Sequence, residues 1–287
     1  MGHNSGPCQE PLPASGRCAL DGQGGEPRNT QETQPRRLLA ASPLSHKGSS
    51  TPFPDFAYSP ARKWTYRCFF VPTRPALWLN PHMIALLDYG SGNLRSVEKA
   101  LLKVGADVRV TTRPEGTRDA RALVLPGVGA FDDCLSALQK QDLLGAAQEF
   151  IRSGRPFLGI CVGYQALFER SEEFNSCALG MSVFGGKVVR FPDVPGLKVP
   201  QIGWNQLDIV QPSCPLYQGI SQGSYVYFVH SFFPKPTDPG IIATRTTYGE
   251  PFASSVWKDN VYATQFHPEK SQTVGLTLLK NFVNLAK

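Results

Sequence analysis

Two rhythms of apolar and polar positions divide the chain. From residue 83 onward, short continuous apolar runs alternate with stretches in which apolar residues return every three or four positions; before it, neither rhythm is sustained. Met83 to Asp88 is almost entirely apolar and predicts a buried strand, and Leu94, Val97, Leu101 and Leu102 then recur at helical spacing. Asp107 to Thr111 alternates as a second strand and Arg121 to Leu125 reads as a third. Helical patterns follow over Asp132 to Gln139 and Leu143 to Ile151, and Pro156 to Ile160 makes a fourth strand. Strands alternating with helices across short glycine-containing connections predict an α/β fold, with a mostly parallel central sheet flanked by helices. Functional loops of such a sheet lie at the carboxyl ends of its strands.

After about Phe184 the texture becomes β-rich. Lys187 to Phe191, Gln206 to Val210, Tyr225 to Val229, Ile241 to Thr246, Ala253 to Trp257 and Val261 to Phe266 read as short strands. They predict an antiparallel part that continues or flanks the main sheet. A last helix carries Val274, Leu278, Leu279, Phe282 and Val283 on one stripe. No internal repeat is present.

Composition follows the same division. Residues 1–82 are rich in Pro, Gly, Ser and Gln and are expected to be a low-complexity, disordered extension. Residues 83–287 are expected to fold as one domain large enough to bury a sizeable core. The extension has three readings, a dispensable tail, translated sequence upstream of a start at Met83, or a transit peptide, and the first two are favoured. Its five acidic residues and many prolines weigh against a transit peptide. It holds nine basic residues against those five acidic ones, and so carries four of the six net positive charges. The domain is therefore close to neutral, and no basic stripe with interleaved aromatics points to nucleic acid. Seven cysteines at irregular spacing, with no C-x-x-C pair, suggest neither a zinc site nor a disulfide framework. A reducing, cytoplasmic setting is the simpler expectation, with an organelle-targeted form left open by residues 1–82. No apolar run is long enough to span a membrane as a helix.

One junction concentrates the chemistry. Gly159-Ile160-Cys161-Val162-Gly163 lies between the fourth strand and the start of a helix, and has the Gly-x-Cys-x-Gly form of a nucleophile elbow. Such a turn would push the Cys161 sulfur outward at a helix N-terminus, where the dipole favours thiolate. Taken alone, Cys161 reads equally well as a small buried hydrophobe.

A thiol nucleophile needs a base, and residues 83–287 contain two histidines, His230 and His267. His267 ends a strand, and Glu269 stands two residues on, where an extended backbone points the same way. That carboxylate can orient the imidazole. The competing reading is a helix cap with a first-turn acid. His230 lacks a nearby carboxylate and is expected to be structural or to line the substrate site. Attack on a carboxamide builds an oxyanion that needs two donors. The Val162 N–H just after the nucleophile is one candidate. The Pro126-Gly127-Val128-Gly129 loop is the other, though in isolation it reads as an ordinary tight turn.

The Gly-Ile-Cys-x-Gly-x-Gln elbow together with the late His267-Pro268-Glu269 resembles the class I glutamine amidotransferases. Further stretches are similar to one branch of that family, the glutaminase subunits of imidazole glycerol phosphate synthase. They are Asp88-Tyr89-Gly90-Ser91-Gly92-Asn93-Leu94-Arg95-Ser96-Val97, Pro126 to Phe131, Gly203-Trp204-Asn205 and Tyr227 to Ser231. The resemblance implies that Cys161 attacks the side-chain amide of glutamine, His267 shuttles the proton and Glu269 orients it. It also implies that Gln165 helps hold glutamine and that Gly127, Val128, Gly129 and Val162 form or gate the oxyanion site. It implies no cofactor and no metal. Ammonia would pass to a separate (β/α)₈-barrel synthase (cyclase) subunit in histidine biosynthesis, with Gly92, Asn93, Trp204 and Asn205 as candidates for the docking side. Two departures stand out: Val162-Gly163-Tyr164-Gln165 where Leu-Gly-Met-Gln is usual, and Gln201-Ile202 where His-Met usually precedes Gly-Trp-Asn. The alternatives are a glutaminase serving another class I synthase, or a docking module without catalysis.

Overall fold

The computed structural model describes residues 82–287, so the expectation for the N-terminal extension, His82 apart, lies outside the described residues. The chain begins with β1 (Met83–Leu87), α1 (Leu94–Lys103), β2 (Asp107–Thr111), α2 (Glu115–Arg118) and β3 (Ala122–Leu125). It continues through α3 (Phe131–Lys140), α4 (Leu143–Arg152), β4 (Phe157–Ile160) and a single turn of helix, α5 (Val162–Gln165). Then come β5 (Arg170–Ser171), β6 (Gly186–Arg190), β7 (Gln201–Gln206), β8 (Asp208–Ile209), β9 (Tyr225–His230) and β10 (Phe232–Pro236). The order closes with β11 (Ile242–Tyr248), β12 (Glu250–Lys258), β13 (Val261–Thr264) and α6 (Gln272–Leu285).

Eight strands form the central sheet in the order β2-β1-β3-β4-β13-β12-β11-β8. From β2 to β13 the neighbours are parallel; from β13 to β8 they are antiparallel. Every residue of β1, β3, β4 and β13 is buried, as strands covered on both faces require. The helical stripes lie over them: α1 buries Val97, Ala100 and Leu101, and α6 buries Leu278, Leu279, Phe282 and Val283. Leu102, expected on the α1 stripe, is instead exposed.

Two smaller sheets complete the fold, β10-β6-β5 and β7-β9. Phe191, just beyond β6, meets Phe233 of β10 and Phe252 of β12 with ring centroids 4.7 and 5.4 Å apart, and this aromatic cluster ties the three-stranded sheet to the central one. The expected strand Gln206 to Val210 is broken at Leu207. β7 pairs with β9, β8 pairs with β11, and the chain changes sheets between them.

Three neighbouring strands, β3, β4 and β13, run parallel and end at one edge. Leu125 is in register with Gly159, and Thr264 with Ile160. Their next residues are the Pro126 loop, Cys161 and Gln265-Phe266-His267. The topology thus brings together stretches more than 100 residues apart. Cys134, Cys161 and Cys214 are buried free thiols. Among the described residues no helix is long and apolar enough to cross a membrane, and no group of three or more His, Cys, Asp or Glu side chains is arranged to hold a metal ion.

Candidate active site

Cys161 adopts φ +55° and ψ −108°, a conformation that L residues rarely take. Its neighbours impose it. Cys161 N–H donates to the Thr264 carbonyl at 2.8 Å, and the amides of Tyr164 and Gln165 donate to the Cys161 carbonyl at 3.0 and 3.1 Å. The flanking glycines allow the approach. A Cβ at Gly163 would lie 2.1 Å from the Leu125 carbonyl oxygen, and one at Gly159 would lie 2.7 Å from the Gly163 oxygen. Because α5 is a single turn, the dipole behind the sulfur is correspondingly weak.

His267 and Glu269 follow β13. His267 Nδ1 and Glu269 Oε1 are 2.8 Å apart, with the two side chains 1% and 0% exposed. Asn93, held at φ +69° ahead of α1, donates its amide to the same carboxylate oxygen at 2.5 Å. With Nδ1 committed to Glu269, Nε2 is the nitrogen left for the Cys161 sulfur, and it makes no fully formed hydrogen bond in the resting site. The ring nonetheless lies within interaction range of that sulfur. Burial drives the imidazole downward, but charge and hydrogen bonding from Cys161, together with Glu269, outweigh it and lift His267 to about 10.

A cavity of about 440 Å³ opens beside the sulfur. Val128, Gly129, Val162 and Gln165 line it with Cys161, as do Glu173, His230, Phe232 and Lys270. Gly127 lies behind this wall: a Cβ there would come within 2.4 Å of the Tyr89 hydroxyl and 3.1 Å of the Gly163 nitrogen. Gly129 has φ +107°, open to glycine and strained for other residues. Val162 begins α5, so its N–H has no acceptor within that helix.

His230 is a buried imidazole that lines the cavity. Burial first of all pushes it down to about 4, with the nearby His267 acting in the same direction. It is thus neutral, with one ring N–H. Nδ1 lies 2.8 Å from the Phe232 carbonyl, which can only accept, so the proton belongs there. Nε2 must then accept, and Gln201, 2.9 Å away, must offer its NH₂ end. The unusual Gln201 thus has a defined place beneath His230.

Four polar residues of the site went unassigned as site residues in the sequence, Lys270 on the cavity wall among them. Glu173 Oε2 accepts from the Phe131 amide at 2.7 Å, and burial raises its carboxyl above the usual range. Asn93 figured only as a docking candidate. Gln265 went unassigned, yet its Nε2 lies 3.7 Å from the Cys161 sulfur. Gln265 was detectable, since it shares strand parity with His267. Glu173 had no local signal, because the chain fold alone carries it to the cavity.

The sequence profile described as glutamine amidotransferase class-I matches residues 85–285. A protein named imidazole glycerol phosphate synthase subunit HisH, from Syntrophotalea carbinolica, is 52% identical over 205 residues, covering 70% of this chain and 98% of that relative. The protein of the same name from Geobacter metallireducens is 50% identical over 205 residues, covering 69% and 96%. Among solved structures, PurLQS from Thermotoga maritima aligns with a TM-score of 0.58 at 17% identity, over 71% of this chain and 99% of that one. The glutaminase domain of CTPS from Trypanosoma brucei aligns with a TM-score of 0.53 at 16% identity, over 71% and 93%. At such identities the structural likeness concerns the fold alone.

Proposed function

The chain belongs to the class I glutamine amidotransferases, and from that premise we propose that it is the glutaminase subunit of an imidazole glycerol phosphate synthase. In this reading it hydrolyses glutamine to glutamate in the cytoplasm and passes ammonia to a separate (β/α)₈-barrel synthase subunit in histidine biosynthesis. The curated relatives of that name, matched over nearly their whole length, support the branch. One observation supports the chemistry: Cys161, after β4, lines the cavity, and the His267–Glu269 pair, after β13, lies within interaction range of its sulfur.

The Cys161 thiolate attacks the glutamine side-chain carbonyl carbon. The new C–S bond pushes the carbonyl π electrons onto oxygen, and the Val162 N–H and the Val128–Gly129 loop hold that oxyanion. As the intermediate collapses, the His267 imidazolium gives its proton to the amide nitrogen. The C–N bond breaks and ammonia leaves behind a glutamyl thioester. Neutral His267 then takes a proton from water, whose oxygen attacks the thioester carbon. Glutamate departs, and the proton pair of thiolate and imidazolium is restored. Glu269 keeps the ring in the productive tautomer and steadies its charged form. Glu173, the one carboxylate lining the cavity, is suited to the substrate's α-ammonium group. We assign this activity to residues 83–287 and no role in it to the extension.

The β7-β9 ribbon supports the docking assignment. Ile202, Trp204 and Tyr225 are exposed on it, and Val229, paired with Ile202, lines the cavity. The neighbouring turn after β1 reaches the oxyanion loop, for a Cβ at Gly92 would sit 3.2 Å from Val128 Cγ2. Asn205 is instead tied inward, donating to the Thr247 carbonyl at 2.9 Å, which leaves Trp204 as the stronger docking candidate.

The test is to mix the chain with a barrel synthase subunit of this pathway. Co-elution and strong activation of glutamine hydrolysis are expected. Absence of both, with hydrolysis stimulated by a synthase of another pathway, would move the chain to a different branch.

A further inference from the structure

Gln265 is fully buried and stands between the cavity wall and the nucleophile. Its orientation follows from a chain of obligate donors and acceptors. The Phe232 carbonyl can only accept, and the Gln165 side chain lies 3.0 Å from it, so Gln165 must present its NH₂ end. That same NH₂ group lies 3.2 Å from the Gln265 side-chain oxygen and supplies its second hydrogen there. With its oxygen so engaged, Gln265 has only its NH₂ end to turn toward Cys161, and Nε2 lies 3.7 Å from Sγ. The sulfur therefore faces an N–H donor that is independent of His267. Such a donor is worth more to a charged acceptor than to a neutral one. The single turn of α5 makes this contribution matter, because little helix stands behind the sulfur.

We infer that Gln265 is a positioning residue of the reaction: its side-chain amide holds the Cys161 sulfur as an acceptor and ties it, through Gln165, to the wall that receives the substrate. The inference rests on Cys161 being the nucleophile. The other titratable groups that face the sulfur are His267 after β13, Tyr89 after β1 and Cys134 on α3, with Glu269 behind His267. None of them is altered by a change at Gln265, so a shift in the sulfur's behaviour there reports the amide.

The experiment uses the full chain assembled with its synthase partner and two variants. Gln265→Met keeps the length and loses the donor. Gln265→Glu keeps an oxygen for Gln165 but sets an acceptor against the sulfur. The first readout is the rate of Cys161 alkylation by iodoacetamide across pH, followed on the Cys161 peptide by mass spectrometry. The second is kcat and KM for glutamine. In Gln265→Met the alkylation midpoint is expected to rise by about one pH unit, with kcat down roughly tenfold and KM within about threefold, the lower end of the scale of one hydrogen bond to a charged group. Gln265→Glu is expected to shift the midpoint further. If either variant folds with the wild-type melting temperature and keeps the wild-type alkylation profile and kcat, the inference is overturned. A failure of the nucleophile assignment is a separate result, seen as glutamine hydrolysis that survives Cys161→Ala.

Discussion

Two buried imidazoles stand near each other with proton affinities shifted in opposite directions for identifiable reasons. His267 faces a sulfur and a carboxylate, which raise its affinity; His230 is buried against a carbonyl and an amide, and burial lowers its affinity. His230 has a consequence for stability. The unfolded ring protonates near its ordinary value of about 6.5, the folded ring only near 4. Between those values the unfolded state binds more protons, so stability falls as pH drops through that window, by on the order of 3 kcal/mol from this residue. His230→Gln is expected to flatten that slope, measured as the difference in urea midpoint between pH 7 and pH 4.5. An unchanged slope would mean that His230 is not held neutral in the fold. At this scale the reactive residues were legible because their types are rare and their spacing is tight: one elbow cysteine, and a histidine with a carboxylate two residues on. Gln265 and Glu173 were harder to see, since an amide in a strand and an acid in a polar turn look ordinary until the fold aims them.

At the scale of the element, close packing decides which residues are tolerated, and two glycines give contrasting expectations. Gly163→Ala would drive a Cβ into the Leu125 carbonyl at 2.1 Å, a contact between β3 and α5 that neither can yield. It is expected to cost several kcal/mol or to prevent folding. Gly145 of α4 has open space around its Cβ direction, so Gly145→Ala is expected to stabilise by about 0.5 to 1 kcal/mol. Paired thermal melts check both, and equal effects of the two substitutions would contradict the packing account. The parallel core strands and their helices were readable from periodicity, because burial on both faces writes continuous apolar runs. β10 was not, because Pro234 and Pro236 disguise it. The strand accepts them at the edge of its sheet, where it pairs with β6 alone. α5 stops after one turn although buried apolar residues continue beyond Gln165.

For the molecule as a whole, the cavity and the β7-β9 ribbon adjoin, so that in the proposed reading catalysis and docking share one region. Val229 belongs to both cavity and ribbon, and Gly92 brings the first turn against the Val128 loop. Trp204 is half-exposed and meets Tyr227 edge-on with ring centroids 5.9 Å apart, an aromatic pair presented outward. Trp204→Ala is expected to weaken binding of the synthase subunit by tenfold or more while leaving the melting temperature within about 2 °C. Calorimetric titration measures the first and a thermal scan the second. Unaltered affinity would move the docking face elsewhere. This level was the least legible in the sequence. The ribbon's two strands lie in separate parts of the chain, and only their pairing reveals a shared outward face.

The most direct measurement reconstitutes the chain carrying Cys161→Ala with the barrel synthase subunit, then supplies nitrogen first as glutamine and next as ammonia. The account predicts no product from glutamine and product from ammonia at the wild-type ammonia-dependent rate. Glutamate release at the wild-type rate by Cys161→Ala would contradict it.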